Sequence, residues 1–89
     1  MQLAARHPIF PNPVIADEFK IQFNTEQGVY RIDIMDANGR IIKTRSVFVT
    51  GMKSFVEMQL EGVIAKGVLL VRVIGKADKN IFSEKIIVQ

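Results

Sequence analysis

Few side chains in this sequence stand where they could do chemistry. Its one histidine, His7, is followed at once by Pro8 and soon by Pro11 and Pro13. A catalytic base or a metal ligand needs partners fixed within hydrogen-bond reach, and a proline-flanked linker supplies none. Asp36-Ala37-Asn38-Gly39 opens like a calcium-binding loop. The earlier acidic ligand is missing, however, and no glutamate follows the glycine at the distance the loop needs, where Ser46 and Val47 lie. Asp17 and Glu18 are adjacent, so on a strand their carboxylates point to opposite faces and cannot share a proton. No glycine-rich phosphate loop precedes a helix, and no Ser or Cys nucleophile has a second candidate base nearby. The chain is therefore expected to be no enzyme and to hold neither cofactor nor metal. Lys43, Arg45, Lys76, Lys79 and Lys85 are spread along it, and lysines at sheet edges discourage association between sheets.

The elements that would carry these residues must come from one small domain. Eighty-nine residues bury roughly 60–65% of the surface their unfolded chain exposes, enough for one core. With no cysteine in the sequence, disulfides cannot support it, and the compartment stays undecided between cytosol and an exported site. The formal charge of +3 is distributed without a block of five like charges, which argues against a nucleic-acid partner. No run reaches the roughly 18 apolar residues of a membrane span, so the chain is read as not membrane-inserted. Met1 to His7 lacks the basic-then-apolar order of a secretory signal. If the chain is exported, that address lies in sequence outside this stretch, and the stretch is read as a fragment of a longer protein.

Hydrophobic spacing predicts strands throughout. Phe19, Ile21 and Phe23 alternate with Lys20, Gln22 and Asn24, and after Glu26-Gln27-Gly28, Tyr30, Ile32 and Ile34 alternate with Arg31, Asp33 and Met35. Asn38-Gly39 supplies two residues tolerant of positive φ, as a two-residue hairpin turn requires. Ile41 to Val49 reads as one bent strand or two short ones. Val56, Met58 and Leu60 alternate with Phe55, Glu57 and Gln59, and Val63-Ile64 reads as an apolar link crossing between sheets. Gly67 to Gln89 forms two β-branched runs about the polar Lys76–Asn80, a closing hairpin whose last strand belongs to the core. Ahead of these strands, residues 1–8 read as a linker from an upstream cargo, residues 9–89 as the domain, and His7 to Val14 as extended chain without regular pairing. About seven short strands separated by turns, with essentially no helix, predict an all-β sandwich.

Four landmarks together resemble a known family. Pro11-Asn12-Pro13-Val14, Asp36-Ala37-Asn38-Gly39-Arg40, Gly67-Val68-Leu69-Leu70-Val71-Arg72-Val73 and Ser83-Glu84-Lys85-Ile86-Ile87-Val88 look, in order and spacing, like the type A C-terminal sorting domain of the type IX secretion system. The resemblance covers residues 8 to 89. One departure is Leu69, where the family commonly carries an aromatic residue; leucine keeps the burial and loses the ring hydroxyl. The resemblance implies an immunoglobulin-like antiparallel β-sandwich at the end of a larger surface or secreted protein of a diderm bacterium. It implies a secretion signal, read in the periplasm by an outer-membrane translocon and its shuttle components. It further implies removal by a surface sortase with anchoring of the cargo, and a final place at the cell surface or outside the cell. Residues expected to form the recognition surface are Asn12, Pro13, Asn38, Gly39, Gly67, Lys85, Ile86, Ile87 and Val88, with Ile86 and Val88 also read as core. The competing reading is an adhesion or carbohydrate-binding immunoglobulin-like module, which would display aromatics for stacking on a sugar. The sequence has no Trp and only one Tyr, Tyr30, and its phenylalanines are expected mostly on buried faces.

Overall fold

The computed structural model of the chain describes residues 9–51, 53–60 and 67–89. Among them are seven strands: β1 (Ile9–Ile15), β2 (Glu18–Phe23), β3 (Gly28–Met35), β4 (Ile41–Val49), β5 (Ser54–Gln59), β6 (Gly67–Ile74) and β7 (Asn80–Val88). One turn of 3-10 helix, Lys76–Asp78, joins β6 to β7. The expected all-β domain is what forms, with the seven strands joined as one ladder in the order β4-β3-β6-β7-β1-β2-β5. Ile41–Val49 is one strand, with a register irregularity near its start. The link at Val63-Ile64 and the stretch from Met1 to Pro8 lie outside the described residues.

The ladder is not flat. The guanidinium of Arg45 on β4 donates to Glu57 O on β5 at 2.8 Å, and Lys43 Nζ donates to Gln59 O at 2.6 Å. The two end strands of the ladder therefore face each other. The shortest extent of the molecule, 22 Å, has room for two β layers spaced ~10 Å apart. Alternation places the core between them: Phe19, Ile21 and Phe23 of β2 and Met58 of β5 join Tyr30, Ile32, Ile34, Leu69, Val71, Val73, Ile86 and Val88 in one buried cluster. Both strands of the closing hairpin contribute to it, as their β-branched runs predict.

Three expectations need correction. First, residues 9–15 form a strand, β1, rather than running unpaired, although its pairing is irregular across Pro11 to Pro13. Ile9 and Phe10 pair antiparallel with Ile21 and Lys20, while Val14 pairs parallel with Val88. Ile15 pairs with Glu18 of β2 again, so β1 reaches β7 only at Val14, just past Pro11 and Pro13, which have no N–H to give to either neighbour. The Phe10-Pro11 and Asn12-Pro13 bonds are both cis. Second, the Asn38-Gly39 turn is not a two-residue hairpin with both central residues at positive φ. Gly39 N donates to Asp36 O at 3.0 Å and Asp36 N to Arg40 O at 2.9 Å, and only Gly39 has positive φ, +85°. A three-residue loop with a glycine bulge results. Two-residue turns with paired positive φ occur instead at Ala16-Asp17 (φ 56° and 58°) and Ala77-Asp78 (59° and 58°). Third, Phe19 and Phe23 are buried, but Phe10, Phe48 and Phe55 are 40, 59 and 56% exposed. They fall on the outward positions of their strands, which periodicity reports only relative to neighbours, not to the core.

Candidate recognition surface

Pro11-Asn12-Pro13 and the last strand meet through a side chain. Asn12 Nδ2 donates to Lys85 O at 3.0 Å, and Ile87 N donates to Asn12 Oδ1 at 3.0 Å, contacts across 73 and 75 residues of sequence. A carboxamide has the donor and acceptor of a peptide group in one plane. Asn12 therefore continues the β1–β7 ladder by side chain where the flanking prolines cannot donate from the backbone. Pro13 is exposed, and the ladder proper resumes at Val14–Val88.

On the other side of β7 lies β6, then β3 and its turn. Leu70 faces Lys85 across the β6–β7 pair and Met35 across the β3–β6 pair. The turn beyond Met35 is closed by its first residue: Asp36 Oδ1 accepts from Asn38 N and Arg40 N, both at 2.9 Å, and Asp36 Oδ2 lies 3.4 Å from Arg40 Nε. The Arg40 N–H, with the Asn38 N–H and the Arg40 guanidinium, holds the Asp36 carboxyl below the usual carboxylate range despite some desolvation. Asn38 and Gly39 are exposed. A depression of about 290 Å³ opens there between Asp36, Ala37 and Gly39 of the turn, Val68 to Leu70 of β6, and Lys85.

The residues named from sequence thus divide. Ile86 and Val88 are 0 and 6% exposed and belong to the core. Ile87 is 45% exposed and pairs with Val68, itself 48% exposed. Gly67 pairs with Val88 at φ +97°, with no atom within 4 Å of where a Cβ would sit, so glycine is there for its backbone conformation rather than for space. From Asn12 through Lys85 and Ile87 to the turn at Gly39, segments far apart in sequence occupy one end of the sheet.

Two contributors escaped the sequence reading. Val68 carries no signal of its own within a β-branched run, and its place opposite Ile87 follows only from the hairpin register. Asp33 alternates with Ile32 and Ile34 of the core, yet it too is only 1% exposed. Its carboxylate accepts from Thr44 Oγ1 at 2.7 Å, from Arg31 Nε and a terminal guanidinium nitrogen at 3.2 Å each, and from Arg72 at 3.3 Å. Burial pushes this carboxyl up, but the hydrogen bonds from Thr44, Arg31 and Arg72 together outweigh it and hold the group below its ordinary value. The network ties β4, β3 and β6 together on the same face as the depression. No local pattern announces it, because Thr44 and Arg72 reach Asp33 only through pairing.

Among the described residues no group of three or more His, Cys, Asp or Glu side chains could hold a metal ion, and no helix is long and apolar enough to cross a membrane. Compared with known families, residues 8–89 match the secretion system C-terminal sorting domain. No curated protein matches the chain.

Proposed function

The chain belongs to the secretion system C-terminal sorting domain family, and from that premise we propose that it is the address by which an attached cargo crosses the outer membrane through the type IX machinery. The family is one of sorting signals rather than of enzymes, and it implies contact with the secretion machinery and export to the surface or beyond. In this reading residues 1–8 lead in from the cargo, and the folded domain is presented in the periplasm. The translocon and its shuttle components engage the end of the sheet that carries Asn12, Gly39, Lys85 and Ile87. A surface sortase then removes the domain and the cargo is anchored. The observation that carries the reading is the clamp of Asn12 on Lys85 and Ile87. It joins the first landmark to the last, so that the segments are displayed together only when the domain is folded.

The test is a fluorescent reporter with a cleavable periplasmic signal in front and residues 1–89 behind, expressed with and without a working type IX translocon. The expected result is release from the competent strain alone, with the domain recovered separately from the reporter when the sortase is present. A fusion that stays folded and periplasmic in both strains refutes the proposal.

One observation favours the adhesion or carbohydrate-binding alternative. Phe10 and Phe55 meet edge to face at 6.0 Å on the outer surface, and Phe48 and Phe55 line a groove of about 690 Å³ with Arg45, Glu57 and Gln59. Exposed rings beside polar groups suit a sugar face. A glycan array probed with the purified domain decides it: binding abolished by Phe55→Ala supports this reading, and a blank array removes it.

A further inference from the structure

We propose that the depression between the Asp36–Arg40 turn and β7 receives an acidic side chain of the secretion machinery, set among apolar residues of that partner. Lys85 supplies the charge, while Val68 and Ile87 supply the apolar contact. This rests on the sorting reading and deepens it by naming the chemistry of the partner.

Among the described residues, the charges that line this end of the sheet are engaged except for one cation. Asp36 already accepts from Asn38 N, Arg40 N and the Arg40 guanidinium. Arg31 and Arg72 are held on Asp33. The Lys85 ammonium makes no ion pair among the described residues; only its backbone carbonyl is engaged, by Asn12. Among the described residues Lys85 thus presents a cation with no ion-pair partner, at the rim of a depression walled by Val68, Leu69 and Leu70 on one side and the Asp36–Gly39 turn on the other. Ile87 lies next to it, 45% exposed beside a Val68 that is 48% exposed. At about 290 Å³ the depression is at the lower limit of small-molecule sites and suits one or two side chains instead. A cation ringed by aliphatic surface pairs best with a carboxylate ringed by aliphatic surface. The apolar contact supplies affinity and excludes water, and the charge pair supplies orientation and rate of encounter.

The reporter fusion tests this, with export followed in the competent strain and affinity measured on outer membranes solubilised from it, against membranes lacking the translocon. Lys85→Met keeps the stem and removes the charge; affinity is expected to fall about tenfold. Lys85→Glu opposes two carboxylates, and a loss of about a hundredfold with retention in the periplasm is expected. Ile87→Asp should match Lys85→Glu. Lys79→Glu changes the net charge identically at the far end of the β6–β7 hairpin and should export normally. Binding of the unmodified chain should weaken between 50 and 300 mM NaCl, and Lys85→Met should flatten that dependence. Each variant is checked by far-UV circular dichroism, and the exposed Lys85 and Ile87 side chains leave the core untouched.

If the unmodified fusion is exported while folded Lys85→Glu and Ile87→Asp are exported equally well, the inference is overturned and sorting stands. An affinity indifferent to salt overturns it too. If the unmodified fusion is itself not exported, the sorting reading fails and takes this inference with it.

Discussion

Replacing Asn12 by alanine deletes both hydrogen bonds that tie the middle of β1 to β7. Each is worth about 0.5–1.5 kcal/mol net. The groups left behind, Lys85 O and Ile87 N, lie at an exposed position where water can replace the carboxamide, which favours the lower half of that range. The expected loss is about 1–2 kcal/mol, and for a domain of this size roughly 5–15 °C in Tm. Asn12→Asp discriminates further. Its carboxylate can still accept from Ile87 N, but it sets a second acceptor against Lys85 O, so at pH 7 it should be no more stable than Asn12→Ala. Only the protonated carboxyl can donate to Lys85 O, so its folded pKa rises above the unfolded value of about 3.9. The folded state then binds the proton more readily, and stability relative to Asn12→Ala increases as pH falls through the folded pKa. Urea unfolding followed by far-UV circular dichroism at pH 7 and pH 4 reads both effects, with Asn12→Ala as the reference at each pH. A loss below about 0.3 kcal/mol for Asn12→Ala, or an Asn12→Asp variant as stable as the parent at pH 7, would refute the argument that this carboxamide stands in for a backbone pair.

Asp33→Asn removes the charge that gathers Arg31, Arg72 and Thr44 and should cost about 2 kcal/mol, less than a fully buried pair because both arginines are partly solvated. Since the folded pKa of Asp33 is depressed, its contribution is present above the unfolded value near 4 and disappears as pH falls through the lower folded value. The parent should therefore lose stability on acidification more steeply than Asp33→Asn, as urea midpoints at pH 7 and pH 3 would register. Ile86→Ala should cost about 2–5 kcal/mol and Ile87→Ala less than about 0.5, despite adjacent positions, because only the first leaves a cavity; thermal melts separate them. Ala16→Asn and Ala77→Asn each place a residue that tolerates positive φ where alanine is strained, and each should raise the urea midpoint by about 0.5–1 kcal/mol equivalent with an unchanged m-value.

Much of the fold is legible in the amino-acid order because side-chain alternation has a period of two and turn residues interrupt it. Phe19-Ile21-Phe23, Tyr30-Ile32-Ile34 and Leu69-Val71-Val73 declare their strands and their buried faces. Local rules failed where two turn chemistries compete. Asn38-Gly39 has the composition of a two-residue hairpin, but Asp36 takes the N–H groups of Asn38 and Arg40 on its own carboxylate, and the longer loop forms. The tight turns fell instead to Ala16-Asp17 and Ala77-Asp78, where the register of the flanking strands overrides the weak preference of alanine.

Neighbours one to four residues apart sufficed to mark β2 to β7 as strands and to pick out the landmarks of the family, but not the strand that crosses Pro11 and Pro13. Which landmarks touch was decided by the tertiary structure. Asn12 finds Lys85 and Ile87, and Thr44 and Arg72 find Asp33, only after pairing brings residues from distant strands within about 3 Å. Exposure was decided there as well: Phe19 and Phe48 are equivalent letters until the sheet folds over and gives one a core to enter and the other a surface to form. Periodicity fixes that two neighbours point apart, and packing alone fixes which of them meets water.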